Sequence, residues 1–159
     1  MTIAQRLTEL GLVLPQPPRI PPGVVLPFGW VRVCDQRAFI SGHGPTEADG
    51  SFAKPLGKVG LDVTREEAYR AAHLTGLAIL ASLQRELGSL DRIRYWGRVL
   101  GMVASAPGFQ EMPAVINGFS DLIIEVFGHE RGQHARSAVG VAELPFNIPV
   151  EIEAEVLLD

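Results

Sequence analysis

The spacing of apolar positions changes several times along this chain, and each change marks an element. Ile3, Leu7 and Leu10 recur at helical intervals ahead of Gly11, which predicts a short amphipathic helix over residues 2–10. Six prolines between Pro15 and Pro27 interrupt any regular element and predict an extended connector laid over the surface. Past Pro27, the β-branched and aromatic runs Trp30–Cys34 and Arg37–Ser41 flank Asp35-Gln36 at hairpin spacing, so two antiparallel strands are expected. His43 to Gly60 holds four glycines and two prolines and reads as a loop, with room for a short third strand near residues 57–59.

Thr64-Arg65-Glu66-Glu67 has the form of a capping box and opens a helix running from Ala68 through Glu86 to a stop at Gly88. Its apolar positions cover much of the circumference, which suits packing on a sheet and on a second body. Ile93–Ala104 mixes β-branched, aromatic and glycine residues without caps and reads as a central strand. Met112, Val115, Ile116, Phe119, Leu122, Ile123, Val126 and Phe127 then repeat every three or four residues up to Gly128, a second long helix followed by a polar loop over 129–134. The last quarter reads as two strands, 137–143 and 150–157, joined by a turn. In the second, Val150, Ile152, Ala154 and Val156 share one face and Glu151, Glu153 and Glu155 the other. The order favours an α+β sandwich, a mixed sheet with two long helices on one face. Residues 1–26 form an N-terminal helix and proline-rich extension, and residues 27–159 a single α+β domain.

Length and composition narrow the chemistry. A chain of 159 residues, 47% hydrophobic and 20% charged, is long and apolar enough to fold around one core. With 14 Lys+Arg against 18 Asp+Glu the formal charge is −4, so no global positive field draws it to nucleic acid or anionic lipid. The single cysteine, Cys34, permits no intrachain disulfide, and Cys34, His43, His73, His129 and His134 show no zinc spacing. The first fifteen residues, carrying Arg6 and Glu9, do not read as a signal peptide, and no apolar run is long enough to span a bilayer. A cytoplasmic location without a membrane partner is expected.

No dinucleotide fingerprint, P-loop, zinc-hydrolase or serine-hydrolase motif is present. The remaining candidates are polar residues at strand ends. Arg136, read as standing just before a strand, could hold a carboxylate through two parallel hydrogen bonds, or simply face water. Glu151 belongs to a glutamate stripe that commonly marks a solvated sheet surface. Ser41 could orient a ligand or only make a turn. His43, in the glycine-rich stretch, could titrate near neutral pH or lie at the surface. Phe28, Trp30 and Phe39 read as sheet core rather than a base-stacking platform, because few basic residues interleave them.

The run Ala135-Arg136-Ser137-Ala138-Val139-Gly140-Val141-Ala142-Glu143-Leu144-Pro145, followed by Val150-Glu151-Ile152-Glu153-Ala154, resembles the signature of the reactive intermediate deaminase family, also known as Rid, YjgF or endoribonuclease L-PSP-like. Phe39-Ile40-Ser41-Gly42 resembles the same family's strand ending in Ser-Gly, so the likeness covers the chain from about Pro27 onward. The resemblance implies a chorismate-mutase-like fold, a homotrimer with clefts between subunits, and hydrolysis of small enamines and imines such as 2-aminoacrylate to 2-keto acids and ammonia without a cofactor or metal. By the same resemblance Arg136 grips the substrate carboxylate, Glu151 activates or positions water, and Ser41 belongs to the catalytic set. Phe28 stands where the family's deaminases carry a tyrosine, and His43 where they tend to carry glutamine; the resemblance puts both, with Arg136, among the substrate-binding residues, and the two departures suggest a divergent branch. The competing expectations are a noncatalytic trimer that binds a small carboxylate metabolite and, less in keeping with the charge, an endoribonuclease.

Overall fold

A computed structural model describes all 159 residues. Helix α1 (Ile3–Glu9) is followed by the hairpin β1 (Val31–Cys34) and β2 (Arg37–His43), the long helix α2 (Arg65–Leu87), strand β3 (Ile93–Ala104), helix α3 (Met112–Gly132), and strands β4 (Ala135–Val141) and β5 (Val150–Leu158). The sheet has the order β1-β2-β5-β3-β4. All neighbours are antiparallel except β3 and β4, which run parallel because α3 carries the chain back between them. This is the α+β sandwich expected from the order of elements.

Thr64 caps α2 through the reciprocal pair with Glu67, and Gly88 ends the helix in the left-handed conformation, as the sequence required. Ile79, Leu80 and Leu83 of α2 and Phe119, Leu122 and Ile123 of α3 are fully or almost fully buried against Ala38, Ile40, Val99, Val103, Ile152 and Val156 of the sheet. Burial of this kind stabilises by about 25 cal/mol for each Å² of apolar surface. The two helices touch at Gly118, where a Cβ would stand 2.0 Å from the Tyr69 carbonyl oxygen. Only glycine permits that approach.

The opposite face of the sheet carries Phe39, Arg98, Leu100, Glu153 and Glu155 around a groove of about 260 Å³. Phe39, Val139 and Leu157 remain substantially exposed. No helix is long and apolar enough to cross a membrane.

Several expectations need correction. The stretch near 57–59 is not a strand: Val59 only bridges Val63 and Ser105. The helix does break at Gly128, whose φ is 78°, yet residues 129–132 form one more turn instead of a polar loop. Strand β4 starts at Ala135, so Arg136 lies inside a strand and not before it. β2 runs on to His43 because a bulge at Ser41-Gly42 restores pairing, with Ile40 opposite Ala154 and His43 opposite Ile152. Helix α1 docks on the main body, with Ile3 and Leu7 joining the core and the Ile3 N–H donating to Asp91 Oδ1 at 2.9 Å.

Candidate functional site

The bulge in β2 creates the most distinctive polar feature of the fold. Glu151, at the start of β5, belongs to the face turned away from the helices, and its carboxylate leans over the bulged backbone. Glu151 Oε2 lies 2.6 Å from where a Cβ on Gly42 would stand. Glycine there is a steric condition for the position of the carboxyl group. Glu151 is half-buried, and this burial, reinforced by the neighbouring charge of Glu153, pushes its carboxyl above the usual carboxylate range.

Around this carboxyl lies a cavity of about 280 Å³ with a mostly apolar wall. Phe28 and Trp30 form one side, their rings edge to face at 5.8 Å. Ser41 fixes them: its hydroxyl donates to the Gly29 carbonyl at 2.8 Å and its backbone N–H to the Trp30 carbonyl at 2.9 Å. The hydroxyl proton of Ser41 is thereby spent on orienting the wall, and Ser41 itself does not line the cavity. Phe146 closes another side. Its φ of 57° is a left-handed conformation that a bulky residue rarely takes, and its ring stacks on Phe52 at 5.1 Å.

His43 is buried, not at the surface of a loop as its glycine neighbours suggested. Its Nδ1 lies 2.6 Å from the Ser41 carbonyl, which can only accept, so that nitrogen carries the proton and Nε2 accepts from Ser82 Oγ at 2.8 Å. Burial lowers its pKa from 6.5 to about 4, against the opposing pull of the Ser41 carbonyl and with help from the Arg85 charge. The ring is neutral at physiological pH and packs 4.9 Å from Trp30 on the cavity wall. Its part is to shape the wall, and it does not titrate near neutrality. Phe28, Trp30 and Phe39 are likewise not sheet core. The first two border the cavity, and Phe39 lies on the open sheet face.

Arg136 is elsewhere. It pairs with Val99 on β3, whereas Glu151 pairs with Met102, and the odd separation of these partners puts the two side chains on opposite faces. The Arg136 guanidinium donates through Nη1 to Ser120 Oγ at 3.0 Å and through Nη2 to the Pro113 carbonyl at 3.2 Å. Ser120 in turn lies 2.9 Å from His134 Nε2, and His134 Nδ1 donates to the Gly132 carbonyl at 2.8 Å. Burial, with the Arg136 charge as a smaller cause, holds His134 below its ordinary value despite the Gly132 carbonyl. Two donors anchor the guanidinium against α3 and leave its remaining N–H groups for a ligand.

One chain therefore gathers Phe28, His43 and Glu151 around one cavity, keeps Ser41 just behind it, and holds Arg136 apart. The sequence reading missed Thr46, a buried member of the wall whose Oγ1 has no partner, and Ser120, the anchor of Arg136. It also missed Pro18, Ile20 and Leu26 of the proline-rich connector, which line the cavity. The proline spacing predicted a surface connector but held no information about what it covers. No group of three His, Cys, Asp or Glu side chains is placed to hold a metal ion.

Residues 31–152, spanning the hairpin, the two long helices and the start of β5 with Glu151, match the family described as "YjgF/chorismate mutase-like, putative endoribonuclease". The chain belongs to the YjgF family. Among its relatives, Protein TCP17 of Trypanosoma cruzi is 37% identical over 159 residues, covering 99% of this chain and 94% of that protein. The crystal structure of Atu1372 from Agrobacterium tumefaciens, a protein of unknown function, is 42% identical with a TM-score of 0.87, covering 99% of this chain and 92% of that one. A protein of Shewanella oneidensis named as a putative endoribonuclease is 28% identical with a TM-score of 0.89, over 99% of this chain and 100% of that one. The near-complete coverage means that the likeness to these relatives extends through the proline-rich connector as well as the sheet and helices.

Proposed function

We propose that the protein hydrolyses small enamine and imine derivatives of 2-amino acids to 2-keto acids and ammonia, in a cleft completed by a second copy of the chain. The observation that carries this reading is the carboxyl of Glu151: half-buried, raised in pKa and seated on the glycine bulge at the mouth of an apolar cavity. Membership of the YjgF family and the anchored guanidinium of Arg136 support it.

The chemistry balances with water alone. An enamine such as 2-aminoacrylate first takes a proton at C3 and becomes an iminium. Water then attacks C2 while the Glu151 carboxylate accepts its proton, giving a carbinolamine. Glu151 returns that proton to the nitrogen, the C–N bond breaks and ammonia leaves, and the C2 hydroxyl releases its proton to solvent, replacing the one taken up at C3, to become the keto group. Arg136 holds the carboxylate of the substrate by charge-assisted hydrogen bonds, which orients C2 toward the water. Because Arg136 and Glu151 point to opposite faces of one sheet, a single chain does not complete this arrangement. A homotrimer in which the outer edge of β4 approaches a neighbour's cavity does, and its open sheet face would bury Phe39 and Leu157.

A pyridoxal-phosphate serine or threonine dehydratase coupled to the protein tests the reading. Wild type is expected to accelerate keto-acid and ammonia release, and Arg136→Ala and Glu151→Gln to remove the acceleration. Absence of acceleration by wild type across several amino acids overturns the hydrolase reading and leaves a binder of small carboxylates.

A further inference from the structure

The connector between α1 and the hairpin is built into the cavity, and its attachment is specific. The Gln16 N–H donates to the Ala48 carbonyl at 2.9 Å, the Arg19 N–H to the Gly50 carbonyl at 2.9 Å, and the Arg19 guanidinium lies 3.7 Å from the Asp49 carboxylate. Gly50 has φ of 86°, and a Cβ on it would stand 2.1 Å from the Pro17 carbonyl oxygen, so this connector strap and the loop that follows β2 are fitted to one another. From the other side, Arg85 donates to the Pro15 carbonyl at 3.3 Å and to Ser82 Oγ at 3.1 Å, and Ser82 holds His43. One hydrogen-bonded chain thus links the strap to the cavity wall.

What the strap adds to the cavity is apolar surface. Ile20 and Leu26 face a wall that also contains Phe28, Phe52 and Phe146, with Glu151 as the acidic group and His43 as a neutral ring. A two- or three-carbon amino-acid derivative would leave most of this surface without contact. A branched or aromatic side chain would cover it and displace water from it.

We infer that the strap residues Ile20 and Leu26 are specificity determinants, and that the site prefers 2-imino acids with a branched or aromatic apolar side chain over the smallest members of the class. The identity of the reacting head group rests on the proposed hydrolase reading, whereas the preference for an apolar body rests on the wall alone. The head group stays near Glu151, and the side chain extends under the strap.

Isothermal titration of the full chain with pyruvate and with 4-methyl-2-oxopentanoate, the keto acids that hydrolysis would leave, tests the inference. The larger acid carries three more carbons and is expected to bind about tenfold more tightly or better, at a few-fold for each buried carbon. Leu26→Ala and Ile20→Ala are expected to shrink that ratio at least about threefold while leaving pyruvate affinity unchanged. Leu26→Phe, which fills the same space, is expected to weaken the larger acid alone. Equal affinity for the two acids, a ratio that ignores all three substitutions, or no binding of either acid overturns the inference. Hydrolysis without a size preference overturns it while sparing the hydrolase reading. A strap-dependent preference without ammonia release overturns the hydrolase reading and spares the inference.

Discussion

In the proposed reaction the chemistry concentrates in the Glu151 carboxyl, whose ionisation is shifted by its surroundings. To accept a proton from water it must be ionised, and burial together with Glu153 raises the pH at which that happens. The acid limb of kcat/KM is therefore expected above the ordinary carboxylate range, with activity rising as pH rises through it. Glu153→Gln removes the second cause and is expected to move that limb to lower pH, measured as a pH–rate profile in the coupled assay. Glu151→Gln is expected to lower kcat by roughly 10²-fold or more while leaving the unfolding midpoint almost unchanged. Glu151 and Arg136 were legible in the sequence only through family resemblance. Alternation put Glu151 in a stripe of three, and nothing in that stripe separates it from Glu153. The difference comes from Gly42 across the bulge, and a bulge depends on the partner strand, which local sequence does not specify.

At the scale of elements, the periodic segments were readable because burial imposes their period. Helix α2 with its capping box and strand β5 with its alternation are examples. His43 was not readable, because glycines on both sides of it imitate a loop while the pairing of β2 with β5 draws it into the interior. Its burial has a measurable consequence. The folded-state pKa of about 4 lies below the ordinary value of 6.5, so on acidification the unfolded chain binds the proton first. The folded state should lose about 3 kcal/mol between pH 6.5 and pH 4, because each pH unit between the two values costs about 1.4 kcal/mol, with no contribution from this group above pH 7. His43→Gln, which keeps a donor and an acceptor but does not titrate, is expected to flatten that part of the curve of urea unfolding against pH. The crossing of α2 and α3 offers a second test. Gly118→Ala places a methyl group 2.0 Å from the Tyr69 carbonyl oxygen, and backbone cannot yield there as a side-chain end would. A loss of about 3 kcal/mol is expected in urea unfolding.

For the whole molecule the decisive geometry is the separation of Arg136 and Glu151. They occupy opposite faces of a sheet on strands with β3 between them, so if both serve one reaction they must come from different copies. The open sheet face, with Phe39 and Leu157 exposed among Arg98, Glu153 and Glu155, is surface that the proposed assembly would bury. A solution mass of three times 17.2 kDa is expected, and Phe39→Asp is expected to lower both the mass and the activity. The sharpest test mixes two inactive variants. Arg136→Ala chains retain Glu151, and Glu151→Gln chains retain Arg136, so a mixed trimer contains some clefts in which both native groups meet. Random mixing after unfolding and refolding together should restore about a quarter of wild-type activity, because each cleft needs a native arginine from one chain and a native glutamate from its neighbour. If each site were built within one chain, every site in the mixture would carry a defect, and no activity would return.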